Sequence, residues 1–258
     1  MRIIRYEKDG VTRYGAVSGD TVTRLTGDIG GFAETDDAFS LKDVRLLPPV
    51  APPNVIAIGL NYGRHALESD MRLPDHPLIF IKASTSVIAH GDNIALPESA
   101  PDEVDYEGEL AIVIGKTCKN VPEERALEYV LGYTCANDVS ARDCQLRQDT
   151  QWARGKSFDT FCPLGPWIET RLDADDLLIE TKLNGRVMQS SRTSDLIFNA
   201  RKLVSFCSRD ITLAAGTVIL TGTPDGVGFA RKPPVFLRRG DVVEVFIDGI
   251  GTLVNPVV

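Results

Sequence analysis

Runs of lysine or arginine are missing from this chain of 258 residues, and its 28 Lys and Arg are outnumbered by 36 Asp and Glu, for a formal net charge of −8. Nucleic acid is therefore not an expected partner. No apolar stretch approaches the length of a membrane span. The opening Met1-Arg2-Ile3-Ile4-Arg5-Tyr6 alternates and then turns charged, without the apolar run of a secretion signal. A cytoplasmic location is expected. The five cysteines, Cys118, Cys135, Cys144, Cys162 and Cys207, are odd in number and form no C-x-x-C pair. That disfavours a disulfide framework or zinc ribbon and favours plain packing thiols. Cys162, beside Phe161 and Pro163 and near the polar cluster described below, is the best candidate if one thiol is a nucleophile. Histidine occurs only three times. There is no internal repeat and no low-complexity tract.

What remains is a chain rich in short strands. Residues 2–6, 12–17 and 21–25 read as strands with turns at Gly10 and Gly19-Asp20. The proline-dense Leu46–Pro53 stretch cannot be helix or central strand and reads as an extended connector. It divides a small N-terminal β domain, residues 1–48, from a larger one, residues 49–258. Strands follow at Val55–Gly59, Leu78–Lys82, Asp105–Gly115 and Tyr133–Ala136, with a short helix-compatible segment at Tyr62–Ser69 and loop from Asp70 to Pro77. Pro122–Tyr129 begins as a helix should, with proline first and acids early. Asn184-Gly185 marks a two-residue hairpin, and Asp248-Gly249 a second turn. Ser194 is the expected N-cap of a helix whose apolar stripe runs Leu196, Ile197, Ala200, Leu203, Val204, Cys207. Strands dominate without strand–helix alternation. The expected fold is α+β, with a mixed, mostly antiparallel sheet rolled or barrel-like.

Asp105-Tyr106-Glu107-Gly108-Glu109-Leu110 carries the chemistry. Glu107 and Glu109 are two apart, so on a strand they share a face. The strand runs directly into an apolar segment, which argues for burial. Two close buried carboxylates are unfavourable unless something neutralises them, and a divalent cation does so. Oxygen ligands suit Mg²⁺, Ca²⁺ or Mn²⁺ rather than zinc. Asp138, just past the apolar Tyr133–Ala136, is the best third ligand. By itself E-x-E fits the wet face of an edge strand equally well. If residues 138–145 are helical, Asp138, Arg142 and Gln145 share a face. Arg142 then suits a carboxylate, bound through its fork. Lys156, among Trp152 and Phe158, can be a tuned charge. His65 and Glu68, three apart, make a workable general-base dyad. Thr221-Gly222-Thr223-Pro224-Asp225-Gly226-Val227-Gly228 is a glycine-rich turn whose N–H groups can receive an anion, though it lacks the ending of a P-loop.

These segments, in this order, resemble the fumarylacetoacetate hydrolase family: Gly59-Leu60-Asn61-Tyr62 with His65 and Glu68, Asp105–Leu110, Asn137–Asp143, Lys156–Asp159, and Thr221–Pro224. The resemblance runs from about residue 50 to the end and is looser before it. It implies Mg²⁺ or Mn²⁺ held by Glu107, Glu109 and Asp138. It places a His65–Glu68 dyad on a short lid around Ala66–His76, with Lys156 as a further catalytic residue. Arg142, Gln145, Lys82 and Thr223 fall where the family contacts the 2-oxo acid end of a small substrate. A homodimer is the usual assembly. The implied reaction is Mg²⁺-dependent cleavage of a C–C bond in an acylpyruvate-like 2,4-dioxo acid through a metal-stabilised enolate. Oxaloacetate decarboxylation and hydroxymuconate-type isomerisation on the same scaffold stay open. So does a non-catalytic metal- or ligand-binding protein.

Overall fold

The computed structural model describes residues 1–68 and 72–258. Five strands open the chain: β1 (Arg2–Lys8), β2 (Val11–Ser18), β3 (Thr21–Asp28), β4 (Gly31–Ser40) and β5 (Arg45–Leu47). Then come β6 (Val55–Ile58), helix α1 (Gly63–Glu68), β7 (Ile79–Lys82), β8 (Val87–Ile88), β9 (Val104–Asp105) and β10 (Gly108–Ile114). β11 (Val130–Asn137), β12 (Ser140–Ala141) and β13 (Cys162–Glu169) follow. The last part holds the hairpin β14 (Leu178–Leu183) and β15 (Arg186–Arg192), helix α2 (Ala200–Cys207), β16 (Val218–Leu220), β17 (Val242–Ile247) and β18 (Gly251–Pro256).

The large sheet has twelve strands, ordered β4-β3-β2-β1-β13-β11-β10-β16-β6-β7, with β5 on β1 and β8 on β13. Its pairings are antiparallel except β16–β6 and β13–β8. A second sheet runs β15-β14-β17-β18. Neither closes: β4 and β7 end the large sheet without meeting, so the expected barrel-like closure is replaced by open sheets. The N-terminal strands continue the large sheet through β1 on β13, with Ile3 opposite Ile168. Core side chains from both sheets and α2, among them Ile112, Ile179, Leu203 and Val245, pack into one apolar cluster. Strands with both faces covered read as continuous apolar runs, and all seven residues of β10 are buried.

Several elements differ from the sequence expectation for identifiable reasons. β4 was not expected, and it forms by pairing along β3 from Thr21–Ser40 to Asp28–Gly31. The helix expected from Ser194 starts later, because Asn199 caps it by accepting from Lys202 N at 3.0 Å. Leu196 is extended in a bridge to Tyr62, and Ile197 and Phe198 bend onto Asn61 instead: Ile197 N donates to Asn61 O and Phe198 N to Asn61 Oδ1, each at 2.8 Å. Glu123–Tyr129 is a 3₁₀ rather than an α-helix. Ser69, Asp70 and Met71, which belong to the expected lid and loop, lie outside the described residues. Among the described residues no helix is long and apolar enough to cross a membrane.

Candidate active site

The acidic motif is interrupted where it matters. β9 ends at Asp105 and β10 begins at Gly108, so Glu107 sits in the step between them. Its backbone N–H donates to Asn137 Oδ1 at 2.9 Å, and its carbonyl accepts from Asp138 N at 2.8 Å. Glu109 stands on β10 opposite Ala136 of β11, and Asp138 follows the end of β11. Gly108 lies between the two glutamates because β14 crosses there: a Cβ would collide with Thr181 Oγ1. The result is convergence. One ligand oxygen from each of Glu107, Glu109 and Asp138 lies within 4.8 Å of the others, and all three residues are buried.

Cationic side chains surround this triad unevenly. Lys156 Nζ bridges Glu107 Oε2 at 2.6 Å and Asp138 Oδ2 at 2.7 Å. Lys82 Nζ meets the other oxygen, Asp138 Oδ1, at 2.5 Å, and also the carbonyl of Lys156. Arg142 Nη1 lies 2.7 Å from Glu107 Oε1. Glu109 has no ion pair among the described residues; its Oε2 accepts from Gly222 N at 2.6 Å. The two neighbouring glutamates are consequently pushed apart. Burial alone would raise Glu107, but Lys156 and Arg142 outweigh it and hold its carboxyl down to about 2. Burial raises Glu109 well above the carboxylate range, and Asp138 and Glu107 push it further the same way. Three converging buried carboxyls, one without a counter-charge, are the donor set a hard divalent cation takes. The residues present fit such an ion.

A small cavity opens above this floor. His65, Glu107, Arg142, Gln145, Lys156 and Thr223 line it, with Leu60, Phe80, Trp152 and Phe229 as apolar walls. A few polar groups among apolar walls is the usual make-up of a small-molecule site. Glu109, Asp138 and Lys82 are not on its wall. For Lys82 this differs from the expected substrate contact: it is fully buried, and its ammonium is consumed in holding Asp138.

The dyad is present on α1. His65 Nδ1 and Glu68 Oε1 are 3.0 Å apart, and the side chains are 12% and 25% exposed. Glu68 also accepts from Gly226 N, with both oxygens at 3.0 Å. Segment 138–145 is not one helix. Ser140 and Ala141 pair with β9, and a helical turn starts at Arg142 and widens to a π-turn over Cys144–Gln148. Such turns recur at functional sites. Arg142 and Gln145 still meet, Nη1 donating to Oε1 at 2.8 Å. Arg142 meets two of the protein's own carboxylates: besides Glu107 on Nη1, Asp105 Oδ2 accepts from Nε at 2.9 Å. Thr223 Oγ1 donates to Gly108 O at 2.9 Å and accepts from Gln189 Nε2 at 2.7 Å, so its proton is already committed. Gln189 escaped the sequence reading because nothing local in β15 marks it. The glycine-rich turn does receive anions, and they are the protein's own: Glu109 on Gly222, Glu68 on Gly226, and Asp105 on Gly228 and Phe229. All five cysteines are buried, and burial raises the Cys162 thiol to about 12, which leaves it inert as a nucleophile.

The family model described as fumarylacetoacetate (FAA) hydrolase C-terminal matches residues 54–258. The chain belongs to the fumarylacetoacetate hydrolase family. Members of this family are enzymes acting on 2-oxo acids, and this chain is one of its enzymes. A second model, described as Rv2993c-like N-terminal, matches residues 1–49. Among family relatives, a protein of Archaeoglobus fulgidus named only as uncharacterized is 55% identical over 218 residues, 84% of each chain. The mitochondrial oxaloacetate tautomerase fahd2 of Xenopus laevis is 47% identical over 225 residues, 85% of this chain and 70% of that one. The crystal structure of 5-carboxymethyl-2-hydroxymuconate delta-isomerase from Mycobacterium smegmatis superposes with a TM-score of 0.91 at 46% identity, covering 100% of this chain and 99% of that one.

Proposed function

We propose that this enzyme requires a divalent cation, Mg²⁺ or Mn²⁺, and moves a proton between the keto and enol forms of a small 2-oxo acid of the oxaloacetate type. The observation that carries the reading is the buried Glu107–Glu109–Asp138 triad directly beneath a cavity that also receives Lys156, Arg142 and His65. The tautomerase name of the Xenopus relative and the isomerase name of the Mycobacterium smegmatis structure support proton transfer as the reaction.

A cation held by the triad supplies Lewis acidity toward the adjacent carboxylate and 2-oxo oxygens of a substrate. The chain's own residues do the rest. His65 gives its Nδ1 side to Glu68, which leaves Nε2 as the nitrogen that takes a proton from the substrate enol oxygen or carbon and returns it to the other. Glu68 stabilises the imidazolium that forms in between. Lys156 places an ammonium at the cavity floor, where negative charge develops on the substrate's oxygen. Gln145 has its carbonyl taken by Arg142, so its amide nitrogen is the donor left for substrate. Lys82 acts as a positioning residue for Asp138. The N-terminal strands carry none of these groups, and we propose that residues 1–48 are an appended unit extending the sheet.

C–C bond hydrolysis of an acylpyruvate-like acid is the second reading, favoured by the His65–Glu68 pair, which suits removal of a proton from water. The two separate cleanly. Mg²⁺-loaded enzyme is mixed with the enol of oxaloacetate, followed by ultraviolet absorbance, and with acetylpyruvate, followed by release of acetate. Faster ketonisation with intact carbon skeleton supports the tautomerase; acetate release supports the hydrolase. No acceleration of either, or rates indifferent to a chelator, sinks both. The family likeness also supports a homodimer, which light scattering of the purified protein tests.

A further inference from the structure

Asp105 is completely buried and stands apart from the triad. Its carboxylate is nonetheless crowded with donors. Oδ1 accepts from the backbone N–H groups of Tyr106 and Gly228, each at 2.8 Å. Oδ2 accepts from Phe229 N at 3.0 Å and from Arg142 Nε at 2.9 Å. Arg142 is thus held along its Nε edge, while Nη1 is taken by Glu107 and Gln145. The Phe229 ring covers the guanidinium with its centroid 4.4 Å from Cζ. The remaining nitrogen, Nη2, lies 2.8 Å from the same Asp105 Oδ2, so the Nε–Nη2 edge is ion-paired with that carboxylate. Nη2 carries two N–H groups and Asp105 faces one of them, so the outer one is left for an acceptor. Arg142 lines the cavity, which is where such an acceptor arrives.

We infer that Asp105 is the positioning residue for Arg142, holding its Nε–Nη2 edge and the Gly228–Phe229 turn on one carboxylate so that the outer N–H of Nη2 meets the carboxylate of a bound 2-oxo acid. The inference rests on the substrate class proposed above. It replaces a two-pronged arginine clamp by a single oriented donor, because a guanidinium has only five N–H groups and the others are spent. A carboxylate is needed at 105. An amide there keeps an oxygen for Tyr106 and Gly228 but turns N–H donors against Phe229 N and the guanidinium.

The test uses Mn²⁺-loaded protein and oxalate as a non-reacting 2-oxo acid mimic, with binding measured by calorimetry and Mn²⁺ affinity by electron paramagnetic resonance. Asp105→Asn should weaken oxalate by about tenfold or more while Mn²⁺ affinity stays within about twofold, since Asp105 holds a charge-assisted donor and touches none of the triad. The double variant Asp105→Asn, Arg142→Lys should be no weaker than Arg142→Lys alone, because the two act as one unit. Additive losses, or Mn²⁺ affinity falling in step with oxalate, would overturn the assignment. Should Asp105→Asn fail to fold, the wild type carries the test. Its Arg142 Nε–H, identified by ¹H–¹⁵N spectra of Arg142→Lys, should stay protected from exchange with and without oxalate. Loss of that protection on oxalate binding, or a wild type that binds no oxalate, overturns it too. Absence of turnover on oxaloacetate sinks the proposed reaction but leaves this binding result standing.

Discussion

The floor of the cavity and its dyad are built on opposite plans. The floor draws Glu109, Asp138 and Lys82 from strands, or their ends, in the middle and at the edge of a twelve-stranded sheet, and each is at most 1% exposed. Asp138 and Lys82 there hold each other, and Glu109 is held by the Gly222 amide. The dyad sits on a six-residue helix, and its side chains are 12% and 25% exposed. Apart from His65 itself, Glu68 is fastened among the described residues by one backbone N–H, that of Gly226. Holding like charges together in a low dielectric demands a frame that cannot relax. Moving a proton demands a group that water and substrate can reach. The division teaches that substitutions in the floor should cost binding or stability, and those in the dyad turnover alone.

The sharpest attempt to break that division is Glu109→Gln. It removes the one carboxylate without a counter-charge, and Mn²⁺ binding should be lost with turnover down on the order of a thousandfold, the several kcal/mol of a Lewis acid. Retained Mn²⁺ affinity by electron paramagnetic resonance would move the cation elsewhere. Next is Lys82→Met, which strands Asp138 without one of its two ammonium partners. Unfolding in urea should show a loss of about 3–5 kcal/mol, the usual result of removing one partner from a buried ion pair. A loss under about 1 kcal/mol would make Lys82 a dispensable contact. His65→Ala is the converse case. Turnover should fall by about a hundredfold or more, with Mn²⁺ affinity and melting temperature unchanged; a parallel loss of metal would mean the dyad belongs to the floor.

The smallest effect is expected outside both halves, at His90. Burial lowers its imidazole below the ordinary 6.5, and its Nδ1 accepts from Val254 N at 3.2 Å, which requires the neutral ring. The unfolded chain therefore binds the proton first as pH falls. The stability is full above about 6.5 and is lost as pH drops through the lower folded value. Melting curves of wild type and His90→Asn should differ in their pH dependence only on that acid side, by about 2 °C or less. A difference growing above pH 7 would reverse the sign and the explanation.

Much of this was legible from residue order. The acidic pair, its apolar continuation, the third acid after another apolar strand and the His65–Glu68 spacing are local patterns with a chemical reason. The hairpin at Asn184-Gly185 and the α+β class were legible for the same cause. The partners were not. That Arg142 would face Asp105, that Gln189 on β15 would occupy the Thr223 hydroxyl, and that Lys82 would turn behind Asp138 depend on contacts across 34 to 56 positions. No periodicity encodes such contacts. β4 was hidden because Gly31-Phe32-Ala33-Glu34-Thr35-Asp36-Asp37-Ala38 has little strand preference of its own and takes its form from β3. The start of α2 was hidden because Asn61, far away in sequence, claims the N–H of Phe198.

The turn from Gly222 to Phe229 receives one acid of the carboxylate triad, the acid of the dyad and the acid behind the arginine, always on main-chain amides. Main-chain donors survive almost any exchange of side chains. They do not survive a change of spacing. Deleting or inserting one residue in that turn would put three separate anchors out of step at once, so its length constrains the enzyme more tightly than most of the residues spelled along it.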